Sequence, residues 1–182
     1  ETSRLSRIVN RILNFSQLEA SKKRFSFEPI QLNDLYRAIQ ESYFHHLQDK
    51  GFTLKFEPSE DLGLIRGDRE AISEAIINLL DNAIKFSGEN GSIRIYANVS
   101  ENYSTLIIED SGPGMSNEVQ ERLLSNNPSV SKKGEHKNTG TGLGMQLCKS
   151  MAEKNDGKLL IESEENKGTR ISIQLPKAKK NE

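Results

Sequence analysis

Residues 68–87, DREAISEAIINLLDNAIKFS, constrain the fold more than any other stretch of the chain. At 3.6 residues per turn, Ile72, Ile76, Leu79, Leu80 and Ala83 fall on one side of a helix. Asn78, Asn82 and Lys85 fall within a narrow arc on the other side. An apolar stripe of that width has to be buried against a second layer. The alternating segments FTLKFEP, GSIRIYANVS, STLIIED, KLLIES and TRISIQLP, with the shorter LGLIRGD, supply that layer as strands. Short polar links such as ENY make hairpins of neighbouring pairs. Further helices are predicted from Leu32 to Asp49, capped by Asn33 and stopped at Gly51, from Ser116 to Ser125, and from about Thr141 to Asn155. Helices and strands alternate irregularly and hairpins recur. The pattern predicts an α/β two-layer sandwich: a mixed, mostly antiparallel sheet packed against about three helices, rather than a doubly wound parallel fold.

The chain begins differently. Over residues 1–21, Leu5, Ile8, Ile12 and Phe15, widened by Val9, Leu13 and Leu18, form the stripe of a bundle or coiled-coil helix. One such helix cannot bury its own stripe, so either it docks on the rest of the chain or it needs a partner, and the stripe predicts a homodimer through a four-helix bundle. Residues 22–27 read as a linker into an extended segment, and 177–182 as a solvated tail. Glu1 stands inside a helical pattern, which reads as a piece cut from something longer. The 182 residues suffice for one well-cored domain. A net charge of -1 gives no global field favouring nucleic acid or anionic lipid. Cys148, the single cysteine, forms no internal disulfide and falls in a helical apolar pattern, which predicts a buried thiol in a reducing compartment. No apolar run approaches the roughly 20 residues that span a bilayer, and no signal peptide is visible.

Four polar features remain. Two asparagines in mid-helix cost helix propensity, and a solvated face would more simply carry Glu, Lys or Gln, so Asn78, Asn82 and Lys85 point to use rather than to hydration. An amide oxygen is a hard neutral ligand suited to Mg²⁺, and a lysine supplies a point charge to phosphate. In IIEDSGPGM, Asp110 ends a strand and is followed by Gly112 and Gly114. Its carboxylate either bonds nearby backbone in an ordinary turn or accepts from an amino group such as that of adenine, with bare backbone letting a flat ring approach. In NTGTGLGMQLCKS, Gly140, Gly142 and Gly144 alternate at the start of a helix. Either the loop is simply flexible, or its N–H groups converge on an anion such as phosphate. It is neither a P-loop nor a dinucleotide fingerprint. Thr169 follows Gly168 into the last strand, where a hydroxyl could touch a ligand or merely sit in a sheet.

In this order the four features resemble the ATP-binding domain of sensor histidine kinases, within the ATPase group shared with gyrase, the heat-shock chaperones and mismatch-repair proteins. The resemblance covers roughly residues 28–176, and RLSRIVNRILNFSQLEASK resembles the end of the preceding dimerisation helix. It implies a Bergerat-type ATP-binding fold, a catalytic domain over 28–176 with a mobile lid at about 115–140, and ATP and Mg²⁺ as cofactors. It implies that Asn82 coordinates the metal and that Asn78 and Lys85 line the phosphate end. Phe86 adjoins the nucleotide and Asp110 accepts from the adenine amine. Gly112 and Gly114 make room for the base, beside Met115. Gly140, Thr141, Gly142, Leu143 and Gly144 cradle phosphates, and Thr169 lies near the nucleotide. The lid departs from the family in having no phenylalanine between Ser116 and Gly140; Leu123 and Leu124 are the apolar residues available, and Lys132, Lys133 or Lys137 is its basic contact.

The resemblance implies a histidine protein kinase, and the residues bear on which reaction. Related ATPases that hydrolyse with water carry a glutamate at the position of Asn78, which has no basic group. That favours transfer to a nucleophile needing little activation, such as a neutral imidazole. None of His45, His46 and His136 is followed by an acidic residue, as the family's phosphoacceptor is. The acceptor histidine is therefore expected upstream of Glu1. The implied partners are that phosphoacceptor domain, a response regulator receiver domain and a second copy in a homodimer. Neither nucleic acid nor a membrane segment within this stretch is expected. The implied place is the cytoplasm, with any anchor elsewhere in the protein. Two alternatives share the fold: a serine/threonine protein kinase, which would not need the bundle helix, and a non-catalytic nucleotide-sensing module.

Overall fold

The computed structural model describes residues 25–48, 52–56, 62–88, 90–125 and 143–178. The expected bundle helix over 1–21 lies outside the described residues. So do Gly140, Thr141 and Gly142, the three lysines 132, 133 and 137, and His136.

Among the described residues there are seven strands and four helices. The strands are β1 (Glu28–Gln31), β2 (Thr53–Phe56), β3 (Leu64–Gly67), β4 (Ser92–Val99), β5 (Tyr103–Asp110), β6 (Lys158–Glu164) and β7 (Gly168–Pro176). The helices are α1 (Leu32–Gln48), α2 (Arg69–Ser87), α3 (Asn117–Leu124) and α4 (Leu143–Lys154). The main sheet has five strands in the order β2-β4-β5-β7-β6. Only the β2–β4 pair is parallel; β4–β5, β5–β7 and β6–β7 are antiparallel. The mixed, mostly antiparallel sandwich read from the sequence is the fold found.

The period-2 patterning sets which face is covered. Ile93 and Ile95 of β4, Leu106 and Ile108 of β5, and Ile171, Ile173 and Leu175 of β7 are all buried. In register, Ile95 stands opposite Ile108 and Ile108 opposite Ile171. The helices lay Ile72, Ile76, Leu79 and Leu80 of α2 and Leu147 and Met151 of α4 into the same core. Each such side chain contributes roughly 1.5–3 kcal/mol when fully buried. Asp110 and Thr169 are paired in this register, so both belong to the helix-covered face, at the end of their strands. The opposite face is polar. There Arg94 meets Glu109 at 2.6 Å, and Arg170 bridges to Glu162 at 3.1 Å.

Three details depart from the sequence reading. Strands β1 and β3 form a separate antiparallel pair, Ile30 opposite Ile65, rather than joining the main sheet. Asn33 does not cap α1: it lies inside the helix, and its side-chain oxygen accepts from Leu62 N–H at 2.9 Å. Lys177 and Ala178 are not free tail. Lys177 N–H donates to the Asn102 carbonyl at 2.9 Å and Ala178 N–H to the Leu64 carbonyl at 2.8 Å.

Candidate functional site

Helix α2 starts where Asp68 caps it. The Asp68 backbone is extended, and its carboxylate accepts from Ala71 N–H at 2.8 Å. The apolar side of α2 is buried as its periodicity requires. The polar arc is graded: Asn78 is buried, Asn82 half-buried and Lys85 exposed. A solvated face would not bury Asn78 at 3% exposure. The Lys85 ammonium stands 4.6 Å from the centroid of the exposed Phe86 ring.

Helices α2 and α4 run antiparallel. Asn155, just past α4, bonds Asp68 N–H at the start of α2. Midway, the buried Cys148 thiol donates to the Ala75 carbonyl at 3.4 Å, so the cysteine is the core group its spacing predicts. At the far end, Gly144 in the first turn of α4 faces Asn82: a Cβ built on Gly144 would stand 3.9 Å from Asn82 Nδ2. The asparagine arc and the end of the glycine motif thus meet, although Asn82 and Gly144 lie 62 positions apart on different helices. Leu143 opens α4.

The second half of the site lies at the end of β5. Asp110 accepts from Gly112 N–H at 2.8 Å, so the ordinary turn chemistry is present. Burial pushes its carboxyl above the usual carboxylate value, and the backbone N–H groups of Gly112 and Thr169 pull it back only in part. A Cβ on Gly112 would stand 2.9 Å from the Phe86 carbonyl, so the turn after Asp110 rests against the end of α2. Gly114 has φ +67°, and a Cβ there would overlap the Glu164 carbonyl. The bare backbone at both glycines is therefore used by the protein's own close approaches. Met115 N–H donates to Ser163 Oγ at 2.8 Å, and Ser163 Oγ lies 3.0 Å from Thr169 Oγ1. Asn82 with Gly144, Phe86 with Gly112, and Asp110 with Thr169 and Met115 are thus linked around the same end of the α2–α4 pair.

Four residues that the sequence did not single out hold these parts. Ser163 joins Met115, Gly168 and Thr169. Gln120 of α3 donates to the Met115 carbonyl at 3.1 Å and the Ser163 carbonyl at 2.8 Å. Gln146 of α4 donates to the carbonyls of Leu123 at 2.8 Å and Ser125 at 3.1 Å, and Lys149 donates to that of Leu124. Helix α3 has no fully buried residue, and these polar ties hold it together with the half-buried Leu123, which packs against the core. No local pattern could reveal them, because each has at least one partner 21 to 48 positions away.

Among the described residues, no group of three or more His, Cys, Asp or Glu side chains stands together to hold a metal. The donor available beside the first turn of α4 is the amide of Asn82. A single neutral oxygen suits a cation that takes its remaining ligands from water and phosphate, as Mg²⁺ does. Among the described residues no helix is long and apolar enough to cross a membrane.

Comparison with known proteins agrees with this geometry. Residues 67–179 match the family described as histidine kinase-, DNA gyrase B-, and HSP90-like ATPase. The alginate biosynthesis sensor protein KinB of Pseudomonas aeruginosa is 29% identical over 97% of this chain, and the adaptive-response sensory kinase SasA of Synechocystis is 28% identical over 94%. The chain spans only 29% and 45% of those two proteins. The catalytic domain of histidine kinase ThkA is 30% identical, superposes with a TM-score of 0.71, and is matched over 84% of this chain and 99% of its own. The histidine kinase AdeS of Acinetobacter baumannii has the same fold, with a TM-score of 0.75 at 20% identity over 98% of this chain and 81% of its own. By family match and by shared fold, the chain belongs to the histidine kinase-, DNA gyrase B- and HSP90-like ATPases, on the branch of the histidine kinase catalytic domains.

Proposed function

We propose that this chain is the ATP-binding catalytic region of a sensor histidine kinase. It binds Mg·ATP and transfers the γ-phosphoryl group to a histidine on a phosphoacceptor domain, from which a response regulator receives it. The observation that carries the reading is the meeting of Asn82 with Gly144, on the same end of the fold at which Asp110 pairs with Thr169. One part has the chemistry for a metal-loaded phosphate, the other for a base bearing an amino group.

In this reading Asp110 accepts from the base amine, Asn82 holds the metal together with the phosphates, and Asn78, Lys85 and the glycine backbone through Gly144 face the phosphate chain. Phe86 and Met115 flank the nucleotide. Mg²⁺ supplies charge neutralisation on the phosphoryl oxygens. The acceptor imidazole nitrogen forms a bond to the γ-phosphorus as the bridging P–O bond breaks and ADP departs. A neutral imidazole offers its lone pair without prior loss of a proton, so the site needs no general base, which fits Asn78. Catalysis is then positioning and electrostatics. In keeping with this, a histidine kinase complexed with its response regulator has the same fold, with a TM-score of 0.73 at 24% identity. The full-length protein would act as a homodimer on the cytoplasmic side.

The test is transfer from γ-labelled ATP to a dimerisation domain bearing the acceptor histidine, mixed with this chain. Acid-labile label on that histidine is the expected result. Label on serine would replace the reading with a serine/threonine kinase. Binding of ATP without transfer to the native acceptor domain would replace it with a nucleotide-sensing module.

A further inference from the structure

The chain holds four sulfur-bearing residues, Cys148 and the methionines 115, 145 and 151. Met145, Cys148 and Met151 stand three positions apart on α4, forming one stripe of that helix, and all three are buried in the core. Met115 is half-buried, so it is the sulfur residue that solvent reaches. Oxidation of sulfur follows access, which makes Met115 the place where a peroxide would act first.

Met115 is also fixed in place. Its N–H donates to Ser163 Oγ at 2.8 Å, and its carbonyl accepts from Gln120 at 3.1 Å. Gln120 donates to the Ser163 carbonyl as well, at 2.8 Å, so β6 and α3 hold the residue between them. Before it, Gly114 has φ +67° and lies so close to the Glu164 carbonyl that a Cβ would overlap it. The loop from Asp110 to Met115 therefore has no room to retreat when the Met115 side chain changes.

We propose that Met115 is an oxidant-sensitive modification site through which a hydroperoxide lowers the affinity of the chain for ATP. The thioether sulfur attacks one peroxide oxygen. The S–O bond forms as the O–O bond breaks, the sulfur is oxidised by two electrons, and the peroxide leaves as water after a proton shift. The sulfoxide oxygen is a strong acceptor that needs solvation, and pressing it against the flat face of a base costs that solvation. A thiol-dependent reductase reverses the step: the oxygen leaves as water and two thiols become a disulfide. The inference rests on the nucleotide reading above, which sets Met115 beside the base, and adds to it a means of control.

The test treats the chain with hydrogen peroxide, reads gain of oxygen by peptide mass spectrometry, and titrates Mg·ATP by calorimetry before and after. Met115 should be oxidised about tenfold or more faster than Met145 and Met151. The treated chain should bind Mg·ATP about tenfold more weakly, with its melting temperature in the absence of nucleotide unchanged. A methionine sulfoxide reductase should restore the affinity, and saturating Mg·ATP should slow the oxidation of Met115. In Met115→Leu, whatever its starting affinity, peroxide should change nothing. Oxidation of Met145 or Met151 as fast as that of Met115 overturns the inference. So does an affinity unchanged after Met115 is fully oxidised, an equal loss in Met115→Leu, a treated chain that has lost its fold, or an oxidation rate indifferent to Mg·ATP. Each of these leaves ATP binding by the untreated chain, and with it the nucleotide reading, standing. An untreated chain that takes up no Mg·ATP overturns both.

Discussion

The side-chain oxygen of Asn155 accepts the backbone N–H of Asp68 at 2.7 Å, and the same side chain donates to the Met151 carbonyl at 2.7 Å. Asn155 is fully buried. The end of α4 is thereby fixed to the residue that caps α2. Asp68 in turn accepts from Ser26 N–H at 2.8 Å, so the segment entering the domain is tied to the same cap. Because α2 and α4 run antiparallel, this clamp sits at the opposite end of the pair from Asn82 and Gly144.

Removing the clamp leaves the buried Asp68 N–H without its partner, while the Met151 carbonyl keeps the backbone N–H of residue 155 at 3.3 Å. Asn155→Leu, which keeps the volume but not the side-chain hydrogen bonds, should lower stability by about 2 kcal/mol. Gly67→Ala should do comparable harm, because a Cβ there would stand 2.7 Å from Asn155 Oδ1 and 2.6 Å from Ile72 Cδ1. Chemical denaturation measures both, and an unchanged midpoint for Asn155→Leu would contradict the assignment.

Asp110 should trade stability for binding. Its carboxyl is raised above the ordinary value because burial disfavours the charge. The sign follows from linkage: the folded state favours the protonated form more than the unfolded chain does. The contribution of this group is therefore fully present below the unfolded-state pKa and is lost as pH rises through the folded-state value. Asp110→Asn keeps an oxygen for Gly112 N–H and removes the charge. At neutral pH its melting temperature should equal or exceed that of the wild type, and the difference should fade on acidification. ATP affinity should drop by about 10- to 100-fold, the worth of a charged hydrogen bond. Thermal melts across pH, paired with titration, check both halves.

Asn82 should matter only when phosphates are present. Asn82→Ala should weaken Mg·ATP by about tenfold or more and leave adenosine within about twofold, since one neutral metal ligand is lost and the base end is untouched. Equal loss for both ligands would place Asn82 in the scaffold instead. Calorimetry with the two ligands separates the outcomes.

The ties on α3 should be structural and local. Gln146→Met deprives the Leu123 and Ser125 carbonyls of their donor and should cost about 1–2 kcal/mol. Amide hydrogen exchange should quicken through Asn117–Leu124 while the β4–β5 hairpin keeps its protection. Uniform acceleration across the domain would show that the bonds of Gln146 serve global rather than local order.

Much of this was legible in the chain, for identifiable reasons. Alternation placed β4, β5, β6 and β7, because a half-buried strand must repeat every second residue. Helical periodicity placed α2 with its asparagine arc, and Ser116 marked the start of α3 as its cap. The residue types at Asn82 and Gly144 singled out two segments that the fold then sets side by side. What escaped depends on contacts that no window of sequence contains. Strand β1 pairs with β3 rather than with the sheet it precedes, and Asn33, an apparent cap, instead reaches Leu62 29 positions on. Ser163 looks like one more polar residue of an outer strand until the fold sets Met115 and Thr169 against it.

The central claim is that the Asn82–Gly144 junction and the Asp110–Thr169 pair serve one nucleotide. The most direct measurement is an NMR titration following the backbone amides of Gly112, Gly144 and Thr169, first with adenosine and then with Mg²⁺ and a non-hydrolysable ATP analogue. Adenosine should move Gly112 and Thr169 alone, and the loaded analogue should move all three with a single dissociation constant. Two constants, or a Gly144 resonance that ignores the analogue, would contradict the account.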